Sequence, residues 1–492
     1  MRPRRSPALR AARLPAQAGS SPDRAGIIGR AGKLRILCFP TDLLGMERGM
    51  AGTFVGSREF AARRRRLMQA LGPGSAAVFV AGSDSRRNGD VDHPFRQDST
   101  FFYLTGFEEP EAVAVLRPSA KEPFTLIVRP HDLAQAVWVG PRAGVEGARD
   151  TYGADQAFPI EELDKRLPDL LRGAKELHYS MGQRDPLAQR VERLLIDQVA
   201  ARREGAQRGA VPVEAWRDPE PLVDGLRLLK SPAEVKAMRK AIDVTGAGLL
   251  AAMCAVRPGM HEYEVQAVLE ATYRNEGAVR DGFPAIVAAG EHSCTLHYTA
   301  NRARIEDGEL LLMDTGAEWE LYSADVTRTV PANGKFTSAQ RAVYDVVLAA
   351  QAAGIRRTRP GTGFHDVHNA TLRVLVEGLV DLKVLRGDVN GLIEKEAYRP
   401  FFMHGTSHWL GLDVHDAGAY RTAGKSTRLE PGMVLTVEPG LYFAPDTKGV
   451  PARLKGIGIR IEDDILVTER GRENLSEGIP SDPDAIEAII GG

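Results

Sequence analysis

Cysteine is scarce in this chain: Cys38, Cys254 and Cys294 are the three among 492 residues. Their odd number, wide spacing and lack of any CxxC pair argue against a disulfide framework or a thiolate zinc site, and a reducing compartment is expected. Long apolar runs are also missing. No stretch reaches the roughly eighteen residues that a membrane-crossing helix needs, so no membrane partner is expected. Nor is there an excess of one charge. The 64 basic and 65 acidic residues leave a net charge of -1, which gives no global reason to expect nucleic acid or an acidic lipid surface as partner.

What is present is a soluble globular composition, 43% hydrophobic and 26% charged, in a chain long enough for two or three domains. Residues 1–40 differ in kind, with eight Arg and one Lys against the single acid Asp23. That Arg-rich, acid-poor look suits an organellar transit peptide, but the apolar core and cleavage site of a secretory signal are absent. The expectation is an unstructured extension over 1–56, with Met46 or Met50 the more economical beginning.

From residue 57 the pattern is α/β. EFAARRRRLMQAL reads as a helix stopped by Gly72-Pro73-Gly74, and SAAVFVAG as a buried strand. FFYLTGF, EAVAVLRP, PFTLIVRP and AVWVG read as further strands, and PLAQRVERLLIDQVAARR as a long helix. A second unit opens at Ser231, where Pro232 at the first helical position and Glu234 make a capping box. Its helix stops at Arg257-Pro258-Gly259, and a second helix carries Val265, Val268, Leu269 and Thr272 on one face. The arrangement is then repeated. Thr337 and Gln340 form another capping box, the helix runs to Arg359-Pro360-Gly361, 102 residues after the first such stop, and a helix with Val367, Thr371 and Leu375 follows. Each half ends in β-rich sequence, so a helix-helix-hairpin unit is duplicated and a shared site is expected between the two sheets. The domains expected are 57–230, 231–480 and a C-terminal tail, 481–492.

The acids of the hairpins carry the chemistry. In GELLLMDTGAEWELYSADVTRTV, a turn centred between Trp319 and Glu320 would pair Glu318 with Leu321, Gly316 with Ser323 and Asp314 with Asp325. Directly opposed carboxylates in an apolar strand repel unless a cation lies between them, which makes a divalent metal site the expectation. In GIGIRIEDDIL, Arg460 and Glu462 share one face, opposite Ile457, Ile459 and Ile461. Glu438 ends the strand MVLTV. Each acid taken alone reads more readily as a solvated strand end or an ion-pair partner. Together, two from each repeat, they point to a metal.

FFMHGTSHWLGLDVHD, residues 401–416, adds His404, His408 and His415 beside Asp413 and Asp416. HExxH is excluded, because Gly405 and Thr406 stand where the zincin helix needs its Glu. His404 and His408 share a face on a strand or a helix, so spacing does not say which of them coordinates. Four carboxylates with one imidazole would make a hard, oxygen-rich dinuclear site suited to Mn²⁺.

The set MDTGAE, SADVTRT, MHGTSHWLGLDVHD, TVEPGLY and GIGIRIEDD resembles the metal site of the pita-bread metallopeptidases, specifically the Xaa-Pro aminopeptidases (aminopeptidase P). The likeness covers about 57–480, including HPFRQDSTFFYLTGFEEPEA. It implies a creatinase/prolidase-type α/β amino domain and an α+β pita-bread catalytic domain with internal pseudo-twofold duplication. It also implies a peptidase that releases the N-terminal residue of peptides with proline second. By the resemblance, Asp314 chelates one of two Mn²⁺ ions (Co²⁺ or Zn²⁺ being alternatives), Asp325 and Glu462 bridge both, and His408 and Glu438 complete the other. A hydroxide between the ions would attack the scissile carbonyl, with Glu438 as proton shuttle. His297, His404 and His415 match its non-ligand, substrate-facing histidines, Arg460 a residue behind the ligands, and Tyr442 a pocket residue. Asp90 and Trp138 match positions at the substrate pocket, Trp138 across a subunit boundary, in a cytoplasmic homotetramer. A prolidase acting on Xaa-Pro dipeptides is the nearest alternative. Methionine aminopeptidase has no need of the first α/β domain, and a metal-free creatinase-type hydrolase or binding module would have lost ligand acids that are all present here.

Overall fold

The computed structural model describes residues 54–491, so the expected extension lies, up to residue 53, outside the described residues. Helix α1, Ser57–Leu71, ends at Gly72, whose φ of 78° no ordinary side chain favours. Strand β1, Ser75–Val80, follows and is buried along its whole length. It sits within a six-stranded sheet with β2 (Val113–Leu116), β3 (Phe124–Val128), β4 (Gln156–Pro159), β5 (Glu176–His178) and β6 (Ala215–Arg217), ordered β4-β3-β2-β1-β5-β6. The β1–β2 and β2–β3 pairs are antiparallel and the others parallel. Uninterrupted apolar runs such as SAAVFV fit a sheet covered on both faces.

Two stretches expected as strands are helices. FFYLTGF belongs to α2, Ser99–Thr105, which starts because the Asp98 side chain accepts the Phe101 N–H at 2.7 Å. Phe101, Phe102, Tyr103 and Leu104 are all buried, so neither helical nor strand periodicity could show in the sequence. AVWVG lies in α3, Leu133–Val139, capped by Asp132, with Leu133, Val137, Trp138 and Val139 exposed. The long helix α4, Pro186–Glu204, and α5, Glu220–Leu228, lead to the second half.

That half is built twice. Helix α6, Pro232–Ala255, begins at the expected Ser231–Glu234 capping box, and α7, Glu262–Asn275, buries Val265, Leu269 and Tyr273. Strand β7 (Ile286–Ala289) then pairs with β8 (Leu310–Thr315), β8 pairs with β11 (Val326–Pro331), and β9 (Ala317–Trp319) pairs with β10 (Tyr322–Ser323). In the repeat, α8 (Ser338–Arg357) starts at the Thr337–Gln340 box, and α9 (Phe364–Asp381) follows. Then β12 (Val434–Val437) pairs with β15 (Asp463–Thr468) around an inner pair, β13 (Gly440–Phe443) and β14 (Ile457–Arg460). Both halves therefore have the same nested order, an outer pair of strands enclosing an inner one. The 481–492 stretch, expected as a tail, carries helix α10, Pro483–Gly491, with Ile486 fully buried. Among the described residues no helix is long and apolar enough to cross a membrane.

The first hairpin turns two residues away from the expected register. Trp319 pairs with Tyr322, Glu318 with Ser323 and Asp314 with Thr327. The turn is Glu320–Leu321, both left-handed at φ 48° and 65°, the mirror-image turn that matches strand twist. Asp325 therefore lies diagonal to Asp314, not opposite it. The ladder breaks at Gly316, where a Cβ would stand 1.8 Å from the Ala324 carbonyl oxygen.

Candidate active site

Breaks in the strands place the acids. Asp314 is one residue from the end of β8, and Asp325 fills the gap between β10 and β11. Glu438 follows β12, and Glu462 fills the gap between β14 and β15. The two halves meet here, the Glu462 N–H donating to the Thr327 carbonyl at 3.1 Å and the Thr327 hydroxyl donating to Glu462 Oε2 at 2.7 Å.

His408 enters from 406–410, which runs beside β12 without being a regular strand. The Thr436 N–H donates to the His408 carbonyl, and Glu438 N–H to that of Thr406. The His408 Nδ1 lies 3.0 Å from the Trp409 carbonyl, which can only accept. Nδ1 therefore carries the proton, and Nε2 is left free toward the acids, 3.3 Å from Asp325 Oδ2 and 3.8 Å from Glu438 Oε1. One ligand atom from each of Asp325, His408 and Glu462 lies within 4.8 Å of the others.

The charge is unbalanced. Asp314, Asp325 and Glu462 are buried and Glu438 nearly so, against one guanidinium, that of Arg460. Arg460 is not the partner of Glu462 that its place on the strand suggested. It pairs with Asp314 Oδ2, and donates to Tyr442 Oη at 3.0 Å and to Thr327 Oγ1 at 3.1 Å. The other Asp314 oxygen is buried without a partner. Burial, then the Asp314 charge, push the Asp325 carboxyl well above the usual range, and burial, then Asp325, do the same to Glu462. Burial also raises Glu438 to about 7, against the pull of His408 and Arg460. Acids so crowded without cations hold protons, and divalent metal is what this donor set fits.

The other histidines surround this cluster. His404 Nδ1–H donates to the Gly405 carbonyl at 2.7 Å, leaving Nε2 to accept from Tyr442 Oη at 2.9 Å. Burial and then Arg460 push it down to about 3, so it stays neutral. His415 lies edge-on to His408 with ring centroids 4.4 Å apart, and His297 is exposed on the loop after β7. Asp90 and Trp138 are exposed in the first half, and neither has a hydrogen bond or ion pair to the cluster among the described residues.

Several contributors went unmarked in the sequence. Asp464, fully buried, accepts the Asp325 N–H at 3.1 Å, and burial holds its carboxyl well above the usual range. Glu262 is also fully buried and accepts from Ala289 N–H, Tyr298 Oη and Ala303 N–H, each at 2.8 Å, with His292 Nδ1 at 3.1 Å. It ties down both ends of the loop bearing His297. In the sequence it is one more acid in a helix first turn, and nothing there signals the role.

Known proteins bear on this geometry. Residues 236–469 match metallopeptidase family M24, and residues 60–179 match the aminopeptidase P N-terminal domain. The Escherichia coli Xaa-Pro aminopeptidase is 42% identical over 438 residues, 89% of this chain and 98% of that protein. The solved Pseudomonas aeruginosa aminopeptidase PepP is 44% identical, with a TM-score of 0.86 over 89% of this chain and 99% of that one. A glutamate-to-alanine variant of E. coli aminopeptidase P, solved in complex with substrate, gives a TM-score of 0.84 at 42% identity over 88% of this chain and 98% of that one. The expected α/β amino domain and duplicated α+β domain are therefore those of a known enzyme family with divalent metal ions. The chain is a metallopeptidase of family M24 and belongs to its Xaa-Pro aminopeptidase (aminopeptidase P) branch.

Proposed function

We propose that this chain is a dinuclear-metal aminopeptidase that releases the first residue of peptides with proline second. The observation that carries this reading is the set of five donors, Asp314, Asp325, His408, Glu438 and Glu462, drawn from both repeats, with one guanidinium to balance four acids. Two divalent ions, Mn²⁺ by the hardness of the donors, would supply Lewis acidity and an acidified water at this site.

The residues divide the remaining work. Asp325 and Glu462 occupy equivalent places before the second outer strand of each repeat, β11 and β15, which suits them to a position shared by both ions. Asp314 would serve one ion, and His408 and Glu438 the other. Arg460 fixes Asp314 and Tyr442 together. The Glu438 carboxylate, 18% exposed at the edge of the cluster, accepts a proton from the attacking water and returns it to the departing proline nitrogen. His297 and His415 turn N–H groups toward the substrate carbonyls and the developing oxyanion, and His404, whose one N–H is held by the Gly405 carbonyl, fixes the Tyr442 hydroxyl beside them. Tyr442 lines the proline pocket.

We place the division between the domains at residues 230 and 231, and the enzyme in the cytoplasm as a homotetramer. In that assembly Asp90 and the exposed Trp138 would reach the pocket of a neighbouring subunit. The test is hydrolysis of an Xaa-Pro-Xaa tripeptide panel and an Xaa-Pro dipeptide, with chelator and with Mn²⁺. Tripeptide cleavage that chelator abolishes and Mn²⁺ restores is expected. Dipeptides alone being cut would make the enzyme a prolidase, and activity indifferent to chelator would sink the metal reading.

A further inference from the structure

His415 has no side-chain hydrogen bond among the described residues, and its ring is exposed beside His408. Its place is therefore set by its backbone, and 411–416 belongs to no helix or strand. Two aspartates flank it. Asp413 Oδ2 and Asp416 Oδ1 both accept from one nitrogen, Arg227 Nη2, at 2.7 and 2.6 Å. Asp416 Oδ2 accepts from Lys230 Nζ at 2.9 Å, and Asp413 Oδ1 accepts from the Ser99 hydroxyl at 2.6 Å. Arg96 donates to the Leu412 carbonyl from the same side. Gly411 completes the closure, because a Cβ there would stand 2.3 Å from Asp416 Oδ2.

Arg227 comes from α5 and Ser99 and Arg96 from the first half, so residues outside the metal-bearing repeats grip the loop. We propose that Arg227 is a positioning residue for His415, holding it at its place beside His408 by drawing Asp413 and Asp416 onto one guanidinium. The proposal rests on the peptidase reading, in which His415 faces the substrate. Stability alone is a poor reason for this network. Burying Arg227 to 5% exposure costs desolvation that an apolar contact would not, whereas one planar Nη2 group, giving its two N–H bonds to one carboxylate each, fixes the spacing of the residues between them. A cavity of about 540 Å³, lined in part by Arg96, Ser99, Arg227 and Asp413, reaches the clamp from solvent. Asp413 is 42% exposed, so it can be altered without a buried charge being stranded entirely.

The test is a double-variant cycle on an Xaa-Pro-Xaa tripeptide at saturating Mn²⁺, using R227M, R227K, D413N, H415A and R227M/H415A, with Tm for each. Hydrogen–deuterium exchange over 409–417 is measured alongside. Removing one oxyanion donor costs about 10²–10³ in kcat, and a donor misplaced by about 1 Å costs up to about 10². R227M and D413N should lower kcat about tenfold or more with KM little changed, and should speed exchange at 411–416. In the H415A background, R227M should cost less than about twofold. R227K keeps the charge but not the planar, fixed-angle N–H pair of Nη2, so it should recover Tm more than kcat. Losses that multiply in the double variant, kcat that merely follows Tm, or unchanged exchange in an active enzyme overturn the proposal alone. A wild-type chain that cuts no tripeptide sinks the peptidase reading and the catalytic part of this inference together.

Discussion

Asp325→Asn should raise the stability of the metal-free protein while removing most of what metal adds. Asp325 and Glu462 each have a carboxylate oxygen within 4.8 Å of the other. At an effective dielectric of about 20, two full charges at that distance repel by about 3.5 kcal/mol. The raised pKa of both acids means that protonation relieves part of this, which leaves about 1–3 kcal/mol to be recovered when one is neutralised. For a chain of this size that is on the order of 2–5 °C in Tm. The pH sign follows. An acid whose folded pKa is raised binds its proton more tightly folded than unfolded. The metal-free wild type therefore loses stability as pH rises from the unfolded carboxylate value of about 3.9 through the raised one. The variant's advantage should be absent near pH 4 and should grow as the pH is raised toward 8. Saturating metal at about 100 times Kd adds about 2.7 kcal/mol to the wild type, and far less to a variant that has lost one of the proposed ligands. Differential scanning fluorimetry at both pH values, with chelator and with Mn²⁺, reads all four states. A chelated variant that melts below chelated wild type at pH 8, or one that gains as much from Mn²⁺, would refute the reasoning.

Of the alanine variants of His404, His408 and His415, H408A alone should lose bound metal by elemental analysis, because its Nε2 is free toward the acids with Nδ1 tied to a carbonyl, whereas both ring nitrogens of His404 are engaged by Gly405 and Tyr442. Glu262→Gln places an amide N–H₂ among donors that need acceptors, so it should cost about 1–3 kcal/mol. It should also slow turnover by loosening the His297 loop while metal content stays at the wild-type level, which separates it from a ligand variant. Burial works to raise the Asp416 pKa, but Lys230 and Arg227 more than reverse this and hold it below the usual range. Its stabilisation is present above an unfolded value of about 3.9 and fades as pH falls through the lower folded one. Asp416→Asn should therefore cost about 3–5 kcal/mol at pH 7, with the gap in Tm closing in acid.

The sequence made legible whatever is encoded locally. Both capping boxes, both Arg-Pro-Gly stops and the buried strand SAAVFV need only neighbours along the chain, and each stands where expected. Failures came where tertiary packing overrides local preference. The aromatic run of α2 is buried all round, so a helix looked like a strand, and α3 exposes the residues whose β-forming character suggested one. The first hairpin slipped by two residues because its turn uses Glu320 and Leu321 at positive φ, where Asn-Gly would have announced it. Partners distant in sequence were equally hidden. Alternation put Arg460 beside Glu462, but the gap after β14 ends the alternation, and the guanidinium goes across the halves to Asp314.

The duplication explains why those gaps carry the chemistry. A carboxylate inside a continuous ladder has neighbours set by the pleat, whereas one in a gap is free of its strand partner and can reach a group in the other repeat. Asp325 and Glu462 each sit in such a gap, just before the second outer strand of its repeat, and the hydrogen bonds of Thr327 and Glu462 tie the two gaps together. A pseudo-twofold relation puts equivalent residues either side of its axis, so any ion near the axis meets both. Asp314, near the end of β8, and Glu438, directly after β12, are a second matched pair of acids. The residues around the acids are drawn unequally, His297 from the first repeat, and His408 and Arg460 from the second. Within that second pair the settings diverge: Asp314 is locked to Arg460, whereas burial raises Glu438 to about 7 and leaves it at the edge of the cluster, so two acids at equivalent positions are not equivalent in charge.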